Sequence, residues 1–378
     1  MKSGKIIFAF CLLLVCSMAN VVEAIEYRRI GQDYRSLAMG NTGIASANTS
    51  AALFYNPAAM ANIFSWWVDL PFIQVAYSDD AQTLVEYLDE PSDFTLETQA
   101  DRQEFMEEFV GLNPYLKLDW GINGFMNLSK MGLTIGGNYT YEVTLDIEVR
   151  NPNLPEIHTF ARMDHVRQAG GSFPIGLGKL ILGVAYKTVE RTEIDFTYDT
   201  NDMINDAEFP NLVEDGVTGI GSGYDIGFLY RTATPYRLMI GGVYRTEIPL
   251  EDATKIPGEY ALGMSSQLDF SIFRLVAAID WRDITNQQGS PDDTSLNRRF
   301  HYGLELGILP IDKSASLFTI RTGYNQGYVA TGYLGITGVE INLNRNMIIG
   351  ATKYVEETGE FAGQKPSPRT VLYLSFGF

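Results

Sequence analysis

Cysteine is nearly absent from this sequence. Its two residues, Cys11 and Cys16, lie close to the N-terminus, so the rest of the chain has no thiol for a disulfide, a metal or a nucleophile. Histidine is also rare, with His158, His165 and His301 as its three residues. None of them stands at metal-ligand spacing or near a serine motif such as Gly-x-Ser-x-Gly. We therefore expect neither an enzyme nor a bound metal or cofactor.

Positive charge is the second shortage. The chain has 28 Lys and Arg residues against 46 Asp and Glu residues, which gives a formal net charge of −18. This balance argues against binding of nucleic acid and against electrostatic attachment to anionic lipid. Much of the acidic excess lies in residues 79–113 and 199–220, which lack the spacing of an EF-hand. Both stretches are predicted to be solvated loops.

Long apolar runs are missing after residue 24. Before that point, Lys2 and Lys5 precede an apolar run over residues 6–15, and Ala24 ends a stretch suited to signal peptidase. This pattern predicts a secretory signal peptide over residues 1–24. No later run reaches the ~20 residues that a membrane helix needs. An exported chain that resides in a membrane must then cross it with the strands of a closed barrel.

Apolar and polar residues alternate from Tyr115 to Arg150, which predicts one long hairpin with a turn at Ser129 and Lys130. Such alternation places apolar side chains on one face of a strand and polar side chains on the other. The run exceeds the usual strand of about five or six residues and also the roughly 9 to 11 residues of a tilted membrane strand. The apolar face comprises Leu116, Leu118, Trp120, Ile122, Met126, Leu128, Met131, Leu133, Ile135, Tyr139, Tyr141, Val143, Leu145, Ile147 and Val149.

Alternation and turn signals together predict about fourteen strands, an even number as in bacterial outer-membrane barrels. Short and long connections alternate along the chain, with nearly every second connection short. A barrel has short turns on one side of the membrane and long loops on the other, whereas a soluble sandwich has no reason for this alternation. We therefore predict an all-β, transmembrane, antiparallel up-and-down barrel after a segment at residues 25–65, with the barrel itself over 66–378. The predicted strand centres are Phe72, Ile122, Thr140, Val166, Ala185, Ile226, Ile240, Leu262, Ala277, Leu304, Ile320, Gly335, Ile349 and Leu374.

Side chains along these strands have predicted places. The charged residues Lys187, Arg191, Glu193, Glu305 and Arg321 are expected inside the barrel, where pairing with other charges is the ordinary outcome. Aromatic residues are expected in the girdles at the two membrane interfaces. The girdle candidates are Trp66, Trp67, Tyr186, Tyr230, Tyr244, Trp281, Tyr302 and Tyr324.

The C-terminal strand alternates as well and ends on an aromatic residue. Leu374, Phe376 and Phe378 share one face. This ending resembles the signal that the outer-membrane barrel assembly machinery reads. We therefore expect a multi-pass barrel in the outer membrane of a Gram-negative cell, in contact with membrane lipid and lipopolysaccharide, as a monomer.

Small residues dominate the stretch before the first strand. It reads Tyr34-Arg35-Ser36-Leu37-Ala38-Met39-Gly40 and then Phe54-Tyr55-Asn56-Pro57-Ala58. These motifs resemble the N-terminal region of the FadL/TodX outer-membrane superfamily, although Asn41 stands where a second glycine is usual and Ala59-Met60 where Gly-Leu commonly follows. Toward the C-terminus, the stretch Arg321-Thr322-Gly323-Tyr324-Asn325 and Arg369 look like the PorV-like and TraF-like branches of that superfamily.

The resemblance implies a fourteen-stranded barrel whose N-terminal segment plugs the lumen. Met39, Gly40, Asn56, Pro57 and Ala58 would belong to this plug or hatch; the alternative is that they merely cap the barrel. The implied function is passive, porin-like uptake of small hydrophobic compounds such as long-chain fatty acids. The alternative is a PorV-like barrel that serves as a binding or assembly partner in secretion or surface attachment.

Residues 79–113 contain one apolar stripe at helical spacing. Phe105, Met106, Phe109 and Val110 would share one face of a short amphipathic helix. One interpretation is an external capture site for a hydrophobic ligand. The other is a helix that docks on the rim of the barrel.

Overall fold

Within the residues that the computed structural model describes, fourteen strands close into one antiparallel barrel. Each strand pairs with its neighbour along the barrel, and the first strand pairs with the last, where Val75 lies opposite Leu372. The predicted fold class is therefore confirmed. The described residues are 30–63, 66–83, 110–128, 132–150, 156–176, 178–199, 202, 212–234, 236–285, 287, 299–311, 315–325, 336–343, 346–356 and 367–377.

The barrel strands take up most of the described chain, and a separate short hairpin lies between two of them. The barrel strands are β1 Trp67–Ser78, β2 Tyr115–Leu128, β3 Leu133–Arg150, β4 Glu156–Ile175, β5 Leu180–Tyr198, β6 Val217–Arg231, β7 Met239–Arg245, β10 Glu259–Asp269, β11 Phe273–Trp281, β12 Phe300–Pro310, β13 Ser316–Asn325, β14 Ile336–Leu343, β15 Met347–Glu356 and β16 Ser367–Gly377. The hairpin consists of β8 Ile248–Leu250 and β9 Ala253–Ile256.

The described residues also include short helices: α1 Tyr34–Ala38, α2 Ala52–Tyr55, a 3₁₀ helix over Pro57–Asn62 and α3 Leu212–Asp215. Residues 79–83, directly after β1, are helical as well. Asp33 caps α1 by accepting a hydrogen bond from the Ser36 amide, and Asn56 caps the 3₁₀ helix through the Ala58 amide. No helix among the described residues is long and apolar enough to cross a membrane.

The alternation of the sequence sets the two faces of the barrel. In β2, Lys117 and Asp119 point inward and are buried, whereas Leu116, Leu118 and Trp120 point outward and are exposed. In the hairpin of β2 and β3, Leu128 lies opposite Leu133, so the connection spans residues 129–132 and is longer than the two-residue turn that the sequence predicted. Its predicted turn residues Ser129 and Lys130, together with Met131, lie outside the described residues. The outer surface is thus an apolar band around a polar interior, the reverse of a soluble barrel.

Aromatic side chains form a partial ring on the outer face. Tyr186 lies 5.2 Å from Tyr224 between ring centroids on neighbouring strands, and Tyr244 lies 4.6 Å from Tyr260. Trp281, Phe300, Tyr302 and Tyr324 continue the ring on β11 to β13.

Trp67 was expected in a girdle, and this expectation is wrong. Its side chain points into the barrel, where the indole Nε1 donates to Asp69 Oδ1 at 2.7 Å. Trp66, next to it, is the residue that is exposed. The two residues are adjacent, and alternation sends only one of them to each face.

The barrel wall is uneven in height. Strands β3, β4 and β5 have 18, 20 and 19 residues, whereas β7, β11 and β14 have 7, 9 and 8. The tall strands form an extension above one side of the barrel. The hairpin of β8 and β9 folds inward beneath this extension, where the sequence indicated only a loop.

Candidate functional site

The N-terminal segment, residues 30–63, lies inside the barrel and follows its inner wall for nearly a full turn. It begins beside β3 and β1, where the Gly31 amide donates to Glu142 Oε2 at 3.3 Å and Gln74 Nε2 donates to the Gln32 carbonyl at 2.9 Å. It then passes β16, where the Tyr34 and Tyr373 rings stack with centroids 4.1 Å apart. It ends at β2, where Asn127 Nδ2 donates to the Ile63 carbonyl oxygen at 2.9 Å. This circular course explains why the segment needs many small residues: the barrel interior leaves room for backbone and little else.

A belt of glycines on the inner wall accommodates the segment. Eight strands each place one glycine against it, and a methyl group on any of these glycines would lie less than 3.0 Å from an atom of the segment. At Gly323 such a methyl carbon would be 1.9 Å from the Gly40 nitrogen. The belt consists of Gly183, Gly227, Gly241, Gly263, Gly303, Gly323, Gly338 and Gly350.

Wall side chains satisfy the irregular backbone of the segment, whose buried polar groups need partners. Asp280 Oδ2 accepts from the amides of Gly43 at 2.6 Å and Ile44 at 2.9 Å. Other wall side chains donate to carbonyl oxygens of the segment, and Arg231 Nη2, for example, donates to that of Ala61 at 2.7 Å. Further contacts of this kind include Arg245 to Phe54, Arg282 to Asn41 and His301 to Gly40, each to a carbonyl oxygen.

One charged cluster ties α1 to the wall. Glu305 Oε2 accepts from Arg35 Nε at 2.9 Å and from Arg321 Nε at 2.7 Å, and Arg321 Nη2 lies 2.7 Å from Glu340 Oε2. The Tyr34 hydroxyl donates to the same Glu340 oxygen. Burial, together with the adjacent Glu340 carboxylate, raises the pKa of Tyr34 well above its usual range, so the hydroxyl keeps its proton and remains a donor.

The predicted plug residues occupy successive positions along this course. Met39 and Gly40 lie against Gly303 and Gly323, and Gly40 has a φ of 66° with no room for a side chain. Asn56 Nδ2 donates to the Ile44 carbonyl at 2.8 Å.

The same Asn56 amide also reaches the barrel, donating to the Phe228 carbonyl of β6 at 3.0 Å. Pro57 and Ala58 pack directly on Gly183 of β5. The five predicted residues are therefore all in contact with the wall. Their role as a plug stays a prediction.

Two other predicted sites fall partly outside the described residues. Phe105, Met106 and Phe109 of the proposed capture site are not among them, and Val110 lies in the turn that precedes β2. In the C-terminal strand, Leu374 and Phe376 point outward as expected, whereas Phe378 is not described. The predicted signal peptide, residues 1–24, and the strand centre Gly335 also lie outside the described residues.

The interior of the tall wall carries a ladder of ion pairs. Glu142 Oε2 lies 3.1 Å from Lys117 Nζ, and Glu142 Oε1 lies 2.7 Å from Arg162 Nη2. Arg191 Nε lies 2.8 Å from Asp164 Oδ1 on the neighbouring strand. Lys187, also expected inside, pairs with Asp225 at 2.8 Å. Apart from the half-buried Lys187, these groups are buried, so each depends on its partner for the solvation it has lost.

The hairpin of β8 and β9 fills the space beside this ladder. Ile248 and Leu250 are 0% and 1% exposed and form an apolar cluster with Val166 and Val189 of the wall. Gly219, Gly221 and Gly223 of β6 leave room for it: a methyl carbon on Gly219 would lie 1.9 Å from the Leu250 carbonyl oxygen.

Sequence reasoning missed the wall residues that hold the segment, above all Asp280, Arg245 and the glycine belt. The signal was present in part, because glycines recur at inward positions of many strands. Alternation by itself predicts only that these positions face inward. It does not predict that the backbone of the N-terminal segment packs against them.

Comparison of the sequence with protein-family models and with curated proteins gives no match. Solved structures do match over nearly the whole chain. The Ralstonia pickettii toluene transporter TbuX is 14% identical with a TM-score of 0.54, covering 92% of this chain and 98% of its own. The Pseudomonas putida toluene transporter TodX is 12% identical with a TM-score of 0.56 and the same two coverages, 92% and 98%.

The monoaromatic hydrocarbon channel CymD is also similar, at 11% identity and a TM-score of 0.53, covering 93% of this chain and 98% of its own. At these identities the similarity shows a common fold. It confirms the fourteen-stranded barrel that the resemblance to the FadL/TodX superfamily implies. The likeness to the PorV-like and TraF-like branches stays a prediction.

Proposed function

We propose that the protein is an outer-membrane channel for the passive uptake of small hydrophobic molecules. The observation that carries this proposal is the combination of an apolar outer band with an N-terminal segment seated inside a fourteen-stranded barrel. The toluene transporters that resemble the chain share this barrel fold over more than nine tenths of its length. The N-terminal segment would act as the plug that controls passage.

The proposal includes an orientation. The apolar band with its aromatic ring would face lipid, and the tall strands β3 to β5, longer than the roughly 9 to 11 residues that cross a bilayer, would project beyond it on the outer side. The signal peptide would direct export, and the C-terminal strand would engage the barrel assembly machinery. Lipopolysaccharide would then surround the projecting wall.

The substrate class is a proposal too. Long-chain fatty acids and monoaromatic hydrocarbons are both candidates, the first from the resemblance of the N-terminal motifs and the second from the structural neighbours. Cells lacking the gene, and the same cells complemented with it, should be compared for uptake of labelled oleate and labelled toluene. Complementation should raise the initial rate for at least one of them. If the two strains take up oleate at the same rate, and also take up toluene at the same rate, a transport role is contradicted.

A partner role is the second candidate, because the N-terminal segment, the hairpin and charged pairs occupy much of the described interior. A barrel obstructed in this way suits a protein that offers its rim to another molecule. In that case deletion would leave both uptake rates unchanged and reduce the amount of secreted protein on the cell surface. Surface proteomics of the same two strains measures this difference.

A further inference from the structure

The hairpin of β8 and β9 is weakly tied within itself. Its two strands pair at Ile248 with Ile256 and at Leu250 with Ala253, and the register shifts between these pairs. A lone two-stranded hairpin is marginally stable in water. Its position inside the barrel therefore depends on what the wall offers to it.

The wall offers an apolar socket in an otherwise charged region. Val166 and Val189 point inward from β4 and β5 and are 0% exposed. On the same strands, Asp164 and Arg191 lie two residues away and form an ion pair. We call the surface formed by Val166, Val189 and the Phe54 side chain of the N-terminal segment the apolar socket.

Ile248 and Leu250 fill this socket, and the polar contacts between residues 246–258 and the wall are few. Before β8, the Thr246 amide donates to the Tyr224 carbonyl of β6 at 2.9 Å. Arg191 Nη1 donates to the Thr254 carbonyl at 3.1 Å, and the Thr254 amide donates to Glu193 Oε1. The edge of the cluster, at Ile30, Phe54 and Ile256, is only partly buried. These three side chains are therefore the part of the cluster that is accessible without movement of Ile248 or Leu250.

We propose that the apolar socket is a binding site for a small apolar molecule and that Ile248 and Leu250 occupy it as an internal substitute for that ligand. Ligand and hairpin would contact the same surface, so binding of one excludes the other and the hairpin must leave as the ligand enters. This inference rests on the proposed uptake function and adds a regulated site to it.

Thiol labelling can measure this competition, since the chain has no cysteine after Cys16. In a Leu250→Cys variant, with Cys11 and Cys16 changed to serine, the thiol is buried in the socket. Adding 4-fluorotoluene to the protein in amphipol should raise the rate of maleimide labelling at least about tenfold, because the probe shifts the hairpin toward its released state. An unchanged or lower rate would overturn the proposal.

Two matched variants make the result specific. Lys255→Cys places a thiol at an exposed position of the same hairpin, 62% exposed in its native side chain, and its labelling should not respond to the probe. Adding Val189→Asn to Leu250→Cys should abolish the response, because an amide makes the socket polar. A response that survives Val189→Asn would place the probe elsewhere and overturn the proposal.

Hydrogen exchange of the unaltered protein provides a test that needs no variant. The probe should speed exchange over residues 246–258 and leave residues 34–45 unchanged; no change over 246–258 would overturn the proposal. The uptake assay separates this inference from the function on which it rests. Uptake together with a hairpin that ignores the probe defeats the inference alone, whereas no uptake of either compound defeats the proposed function.

Discussion

Two inserts occupy the barrel, and both rest on glycines of the wall. The N-terminal segment follows a belt of eight glycines, and the hairpin of β8 and β9 lies on Gly219, Gly221 and Gly223. They differ in what holds them. Charged wall side chains bind the segment from four strands, β6, β7, β11 and β12. The hairpin has apolar contacts, and the wall holds it by polar contacts at Thr254 and, just before β8, at Thr246.

The comparison shows that the space for an insert and the contacts that hold it come from different residues. Glycines only provide space, and space is equally available to a permanent element and to a movable one. Buried ion pairs and amides bound to a carboxylate are costly to break, because each group released would lose partners in a poorly solvated interior. We infer that the segment is the fixed insert and the hairpin the releasable one.

The largest effect is expected where the segment's charged anchor is removed. Glu305→Gln leaves the buried Arg35 guanidinium without its carboxylate and should lower the free energy of unfolding by about 3–5 kcal/mol. Denaturant unfolding in detergent measures this change. Glu247→Gln is the control, since it removes an exposed hairpin pair with Lys255 and should cost about 0–1 kcal/mol. Equal losses would erase the proposed difference between the inserts.

A single methyl group on the belt should cost less. Gly323→Ala places a carbon 1.9 Å from the Gly40 nitrogen, and the collision should destabilise the protein by about 1–3 kcal/mol. Gly124→Ala on β2 is the matched control, because its methyl group would meet no atom within 4 Å. Similar thermal unfolding of both variants would show that the segment is not firmly seated.

The Tyr34 hydroxyl tests one hydrogen bond within the charged cluster. Tyr34→Phe keeps the ring that packs on Gly350 and Tyr373 but removes the donor to Glu340. Because Glu340 keeps Arg321, the loss should be about 1.5 kcal/mol in denaturant unfolding. No loss would mean that Arg321 alone satisfies the carboxylate.

The smallest global effect is expected for a methyl group under the hairpin. Gly221→Ala places a carbon 2.2 Å from the Pro249 carbonyl oxygen, a collision as close as those on the belt. A releasable hairpin should move away, so the free energy of unfolding should change by about 0.5 kcal/mol or less. Hydrogen exchange over residues 246–258 should nevertheless accelerate. A loss as large as that of Gly323→Ala would show that the hairpin is fixed as well.

Prediction from the sequence was strongest along the strands. Leu116, Leu118 and Trp120 were correctly placed on the outer face, because a side-chain period of two leaves each residue only two faces to choose from. It failed at Trp67, which begins the first strand. Trp66 and Trp67 are adjacent, and at the start of a strand the alternation does not decide which of the two faces inward. It failed again over residues 248–256, since two strands of three and four residues leave almost no periodic signal.

By itself the sequence determined an all-β barrel with an apolar outside and a polar inside, because that information is local and repeats along every strand. Only the tertiary structure decided that the N-terminal segment circles the wall on a belt of glycines, and that Ile248 and Leu250 fill a socket between Val166 and Val189. Both contacts join parts of the chain that are far apart in sequence. Their fit depends on how the barrel closes, and no local pattern encodes that closure.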